Sequence, residues 1–174
     1  MVVINRNWWS PSIGFTGRHA PERAIPVEER EHRCLLDSDT CIIDQTQFFV
    51  RGCLDIPVLG EPEPFSWGVW VSLSAGNFEI FSRCLELAKR SHNGPFLGWL
   101  SAELPLYPST ENLKARVHLR DDGIRLYIEL EPTDHPLAIE QREGISAARV
   151  GEIFAHVAHR EIGQSSSRST GGHH

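Results

Sequence analysis

Two stretches, "NLKARVHLR" (112–120) and "GIRLYIELE" (123–131), restrict the fold more than any other part of the chain. In the first, Leu113, Ala115, Val117 and Leu119 alternate with Lys114, Arg116, His118 and Arg120. In the second, Ile124, Leu126, Ile128 and Leu130 alternate with Arg125, Tyr127, Glu129 and Glu131. A period of two sends alternate side chains to opposite faces of a strand, so each arm has one apolar and one charged face. Asp121-Asp122-Gly123 between them has the chemistry of a hairpin turn. An isolated two-stranded ribbon is barely stable in water, so its apolar side must be covered by something else while the other side stays wet.

The rest of the body supplies the cover. "CIID" and "QFFVRGCLDIPVLG" read as strands joined at Asp44-Gln45, with Gly52 a candidate bulge. "SWGVWVSL" is a strand with Trp67, Val69, Val71 and Leu73 on one face and Gly68, Trp70 and Ser72 on the other. A helix follows, capped by Ser74 or Asn77, with an apolar stripe of Phe78, Phe81, Leu85 and Ala88. "FLGWLS" is a short buried strand or turn. Toward the end, Ile145, a Ser146 cap and Val150 form the hydrophobic-staple pattern of a closing helix lined by Val150, Ile153, Phe154 and Val157. The expected architecture is α+β, a single domain with a mostly antiparallel sheet and helices packed on one face.

The boundaries follow from local composition. Residues 1–33 read as an irregular arm broken by Pro11, Pro21 and Pro26, with one or two helical turns in "PVEEREHRC". Residues 34–160 form the α+β domain, and the Ser/Gly-rich 161–174 is expected as a disordered tail. The opening apolar run is too short for a signal peptide and no 18-residue apolar run exists, which points to a reduced, cytoplasmic setting.

Charge and cysteine spacing exclude several function classes. A net charge of −6 and no Lys/Arg run argue against a nucleic-acid partner, which needs a basic patch. Cys34, Cys41, Cys53 and Cys84 match no zinc spacing, and no metal or cofactor is expected. Phosphate-loop, dinucleotide, zinc-protease and serine-hydrolase motifs do not occur.

Four candidate sites remain. "TDHP" places Asp134 and His135 before Pro136, reading as the junction where a strand hands over to a short helix, with His135 at the cap and Asp134 at the helix mouth. On that reading Asp134→Ala lowers stability by about 1 kcal/mol. A thiolate–imidazole pair from Cys41 or Cys53 with His118 or His135 is disfavoured by burial of thiols in apolar strands. Glu152, His156 and His159 share a helix face and read as a solvated stripe. The charged hairpin face is the recognition candidate: Arg116, His118, Arg120 and Tyr127 with Trp70 or Trp99 nearby.

The chain resembles a bacterial family catalogued as domain of unknown function 2199. The resemblance rests on "EEREHRCLLDSDTCIID", "FFVRGCLDIPVLG", "FSWGVWVSLS", "FLGWLS", "NLKARVHLR" and "IELEPTDHPLAIEQREGIS", which cover most of residues 26–157. It implies a small zinc site of the C-x-x-C-G type near the start of many members. This chain carries "NWWSPSIGFTGRH" there, with no cysteine before Cys34. No activity transfers with the resemblance.

The expected function is therefore a non-enzymatic cytoplasmic binding protein for a protein partner. A toxin-neutralising immunity protein acting on a basic toxin is one form of it, since an acidic surface favours a basic partner. The alternative is a small-molecule-binding or hydrolytic pocket around Asp134 and His135, drawing on Arg51, His118 and Glu140.

Overall fold

The computed structural model describes residues 20–167 and the short segment 12–14, of which 12–14 and 161–167 are described by their backbone. Along the chain the elements are β1 (Ser12–Gly14), α1 (Arg30–Arg33), β2 (Cys34–Leu36), β3 (Thr40–Ile43), β4 (Gln47–Ile56), β5 (Phe65–Leu73), α2 (Ala75–Leu85), β6 (Phe96–Leu100), β7 (Lys114–His118), β8 (Tyr127–Leu130), α3 (Pro136–Glu143) and α4 (Ala147–Ser167). Two 3-10 turns, Pro21–Ala24 and Val27–Glu29, precede α1.

The strands form one sheet in the order β1-β5-β6-β7-β8-β4-β3-β2, and β4 also pairs along β5. That extra pairing closes β4, β5, β6, β7 and β8 into a ring, with β1, β2 and β3 as extensions. All pairings are antiparallel except β1 with β5 and β4 with β8. Closure removes exposed sheet edges from the ring and gives it a true interior. Val50, Leu54, Ile56, Phe65, Trp67, Val69, Val71, Leu73, Phe96, Leu100, Ala115, Val117, Ile128 and Leu130 belong to that buried core. Phe78, Phe81 and Cys84 from α2, Leu137 and Ala138 from α3, and Val150, Ile153 and Val157 from α4 complete it. Helices and sheet thus share one core, as the apolar stripes require.

Glycine explains two close approaches in the ring. The pairing of β4 with β5 runs without interruption from Phe48↔Leu73 to Ile56↔Phe65, so Gly52 is no bulge. Val50, Gly52, Leu54 and Ile56 share the inward face by strict alternation. A Cβ on Gly52 would lie 2.7 Å from Ile128 Cδ1, so the missing side chain leaves room for Ile128 to fill the ring. Gly98 serves similarly between β6 and β5.

The hairpin is shorter than its alternation suggests. β7 and β8 pair only from Ala115↔Leu130 to His118↔Tyr127. Ile124, expected on the apolar side, is 54% exposed. Asp122 and Gly123 have φ of 56° and 71°, and Ile124 N–H donates to Asp121 O at 3.2 Å, so the tip turns there as expected. Between tip and ladder lies Arg90, only 6% exposed. Its Nε donates to Arg120 O at 2.7 Å, one terminal nitrogen to Leu85 O at 2.7 Å and the other to Ile124 O at 3.3 Å. Its own N–H and that of Ser91 donate to Asp121 Oδ1, each at 2.8 Å. The two backbones separate around this guanidinium, which takes over the role of ladder hydrogen bonds.

A second, smaller cluster packs on the outer side of β3, β4 and β5. It contains Ile25, Cys41, Ile43, Phe49 and Trp70, with Cys34 against it. The helix α4 continues to Ser167, into the segment whose composition suggested a tail from residue 161. Extending an existing helix avoids the cost of nucleating one, so Ser-rich sequence can be carried along. The remaining tail residues, 168–174, and residues 1–11 and 15–19 of the N-terminal arm lie outside the described residues. Among the described residues no helix is long and apolar enough to cross a membrane.

Candidate functional site

The outward-facing side chains of β6, β7 and β8 meet on one face of the ring. The register sets Leu97 opposite Arg116 and Trp99 opposite Lys114 across β6 and β7. Across β7 and β8 it sets Arg116 opposite Glu129 and His118 opposite Tyr127. Alternation does the positioning: Ala115, Val117, Ile128 and Leu130 anchor the same strands inward.

Half of this face is internally satisfied. His118 Nε2 lies 2.7 Å from Glu129 Oε2, and Lys114 Nζ lies 3.0 Å from Glu131 Oε2. Arg120 donates to Asp55 Oδ2 at 2.9 Å and stacks over Tyr127, its guanidinium carbon 5.3 Å from the ring centroid. The His118 and Tyr127 rings lie 5.6 Å apart. Burial, then Glu129 and Asp55, pushes the Tyr127 hydroxyl pKa upward, so the phenol stays neutral. This half is a closed network of partly exposed pairs, and such pairs add little stability each.

The other half is open. Leu97 and Trp99 are each 51% exposed on β6. Arg116 beside them is exposed and has no ion pair among the described residues, because Glu129, its cross-strand neighbour, is taken by His118. "FLGWL" was expected as buried, yet only Phe96, Gly98 and Leu100 turn inward. The signal was present in the alternation around Gly98; five residues are too few for periodicity to settle it.

Trp70 is not part of this face. It is 5% exposed and sits in the second cluster against Ile25, Cys41, Ile43 and Phe49. The outer side of β5 is covered there by residues from the N-terminal arm, a long-range contact that strand alternation alone does not reveal. Arg51 is Trp70's cross-strand neighbour on β4.

The Asp134–His135 corner is a helix start. His135 is the N-cap of α3, its Nδ1 accepting from Leu137 N–H at 3.1 Å. Its Nε2 lies 3.2 Å from Ser109 O, a carbonyl that can only accept, so Nε2 carries the proton. Both ring nitrogens are thereby engaged, and no lone pair remains for general-base work. Asp134 is exposed and lies one residue before the cap, so the stabilising role expected of it passes to His135. Accordingly, Asp134→Ala should leave the melting temperature within experimental error. His135→Ala should cost about 1 kcal/mol. Paired thermal melts check this, and the reverse ranking would reject the cap assignment.

Two polar groups near this corner have structural partners: Gln141, which the sequence did not single out, and Glu140, which it offered as part of the alternative pocket. Gln141 on α3 accepts from Leu130 N–H at 2.8 Å and donates to Ile128 O at 2.8 Å and Asp55 O at 3.4 Å. It bridges β8 and β4 where their own pairing is limited to Cys53↔Tyr127. Glu140 accepts from Arg149 Nε at 3.0 Å and from the Tyr107 hydroxyl, while Arg149 also meets Glu152 at 2.9 Å and stacks over Tyr107 at 5.4 Å. Burial and the Glu140 contact push the Tyr107 pKa upward, keeping it a neutral donor. Glu140 therefore ties α3 to α4. Glu152, read as part of a solvated stripe with His156 and His159, pairs with Arg149. Among the described residues no group of three or more His, Cys, Asp or Glu side chains is placed to hold a metal ion.

The family model described as an uncharacterized protein conserved in bacteria, domain of unknown function 2199 (DUF2199), matches residues 9–145. The chain belongs to this family. No curated protein and no solved structure matches it. The match runs from before β1 to the residue before the α4 cap and so includes the whole ring, which places the open strip on β6 and β7 within the DUF2199 domain. The N-terminal segment to which the family resemblance attaches a zinc site falls outside the described residues except for 12–14.

Proposed function

We propose that this chain is a non-enzymatic protein-binding domain that engages its partner through Leu97, Trp99 and Arg116. The observation that supports this reading is the exposure of a tryptophan and a leucine, 51% each, beside a guanidinium left without an ion pair among the described residues. Trp and Arg dominate the energetics of protein interfaces because each combines large contact area with directional polar contacts. The paired groups around them, Lys114–Glu131 and His118–Glu129, form a polar rim that excludes water without needing to add affinity. The engagement of both His135 nitrogens weighs against the competing pocket around Asp134 and His135.

The net charge of −6 supports a basic partner by electrostatic steering, and a toxin-neutralising immunity protein is the concrete form of this reading. Four free cysteines suit a reducing cytoplasm. The test is affinity capture from a bacterial host lysate with quantitative mass spectrometry, comparing wild type, Trp99→Ala, Arg116→Ala and Ile80→Ser. Ile80 is an exposed residue of α2 and serves as a surface control. The reading expects a protein enriched by wild type and Ile80→Ser and depleted at least about tenfold by the strip variants. Equal capture by all four proteins would refute the assignment to this face.

A further inference from the structure

We infer that Cys34 and Cys41 form a built-in thiol pair that a peroxide converts to an intramolecular disulfide, making the β2–β3 hairpin a reversible modification site. The pairing of β2 with β3 sets Cys34 opposite Ile43 and Leu36 opposite Cys41, so the two cysteines are diagonal neighbours on one face. Their sulfurs lie 3.4 Å apart, both thiols free. Cys53 and Cys84 are placed differently, Cys53 at the β4–β8 pairing and Cys84 within the main core under α2.

Access sets the order of events. Cys34 is partly exposed, whereas Cys41 is fully buried, so an oxidant reaches Cys34 first. Burial, followed by the Cys34 contact, pushes the Cys41 thiol pKa up, which also rules it out as the entry point. The Cys34 sulfur attacks a peroxide oxygen, the O–O bond breaks, and Cys34 becomes a sulfenic acid with release of one water from hydrogen peroxide. The Cys41 sulfur then attacks the Cys34 sulfur, the S–O bond breaks, and a second water leaves. Two thiols and one hydrogen peroxide thus give one disulfide and two waters.

The hairpin can accommodate the bond. The sulfurs must approach by roughly 1.4 Å, and disulfides also need Cβ atoms closer than most diagonal pairs provide. β2 is a three-residue outermost strand whose Leu35 and Leu36 are 67% and 52% exposed, so little packing resists the shift. Arg33, gripping Asp44 through bonds of 2.7 and 2.6 Å, holds the strand in register meanwhile. A bond under such adjustment is readily reduced again.

The experiment treats the folded full chain with hydrogen peroxide, alkylates residual thiols and digests with trypsin. Cleavage after Arg33 and Arg51 releases Cys34 and Cys41 together in one peptide, separate from Cys53 and Cys84. The expected result is a peptide lighter by two hydrogen atoms and unalkylated, restored by dithiothreitol, with Cys84 still alkylatable after unfolding. Dimedone should label Cys34 strongly in Cys41→Ser and only weakly in wild type. Strong dimedone labelling or sulfinic acid at Cys34 in wild type, without the lighter peptide, would overturn the proposal, as would a cross-link only between molecules. The wild-type mass readout stands whether or not the variant folds.

Discussion

Replacing Arg90 by alanine should lower stability by about 3 kcal/mol, the largest loss expected from a single polar substitution among the described residues. The reason is local and specific. Arg90 is 6% exposed and its guanidinium meets three backbone carbonyls, those of Leu85, Arg120 and Ile124. Alanine leaves these acceptors without their charged donor in a site too enclosed for full rehydration, and each buried unsatisfied group costs about 1–3 kcal/mol. In a chain of this size the melting temperature should fall by about 10 °C, taking about 2–4 °C per kcal/mol. Arg90→Lys keeps the charge but not the planar fork, and so should recover less than half of the loss. Urea unfolding of the three proteins decides the matter. A lysine variant as stable as wild type would show that charge alone, not the three-way geometry, holds the loop.

Gly98→Ala is expected to be comparably damaging for a different reason. A Cβ at this position would sit 2.4 Å from Ser72 O, 2.6 Å from Val71 Cγ1 and 2.9 Å from Leu73 Cδ2. The first of these atoms is backbone, so relief requires β5 and β6 to separate where Leu73 pairs with Gly98. Overpacking a core ordinarily costs about 1–3 kcal/mol, and a backbone obstacle places this substitution at the top of that range. Gly98 also lies between Leu97 and Trp99, so its closeness to β5 helps fix the strand that presents them. Loss of partner binding in Gly98→Ala therefore should accompany its lower melting temperature. Gly60→Ala, where no atom lies within 4 Å, controls for a glycine kept by its positive φ of 86° alone.

Much of this fold was legible from local pattern. Alternation assigned the faces of β5, β7 and β8, and Ser74 and Ser146 marked helix starts that both accept the expected amide hydrogen bonds. The positive φ of Asp44 and Gln45 matches the turn read between β3 and β4. What local pattern left open was ring closure, which depends on β4 using both its edges. The same long-range pairing hid the fate of Trp70, whose alternation placed it correctly on the outer side of β5 without disclosing the second cluster that buries it. Arg90 was illegible because an arginine next to Lys89 after a helix looks like any solvated cation. Only the carbonyls brought to it from residues 120 and 124 reveal its task.

Arg116, His118, Arg120 and Tyr127 do share one face, yet cross-strand partners such as Glu129 and Asp55 occupy most of them. What distinguishes Arg116 is that its neighbour is already engaged, and that requires distances. The Asp134–His135 pair reads from sequence as a strand-to-helix junction with His135 at the cap, and the two imidazole nitrogens bridge the start of α3 to Ser109.

The most direct measurement is a calorimetric titration of the captured partner into wild type, Trp99→Ala and Arg116→Ala, each first shown to melt like wild type. Interface anchors of this kind contribute about 2 kcal/mol or more, so the affinity should weaken by about thirtyfold for Trp99→Ala and measurably for Arg116→Ala. Unchanged affinity in both variants would mean that the partner docks elsewhere and that the exposed strip on β6 and β7 is bare surface.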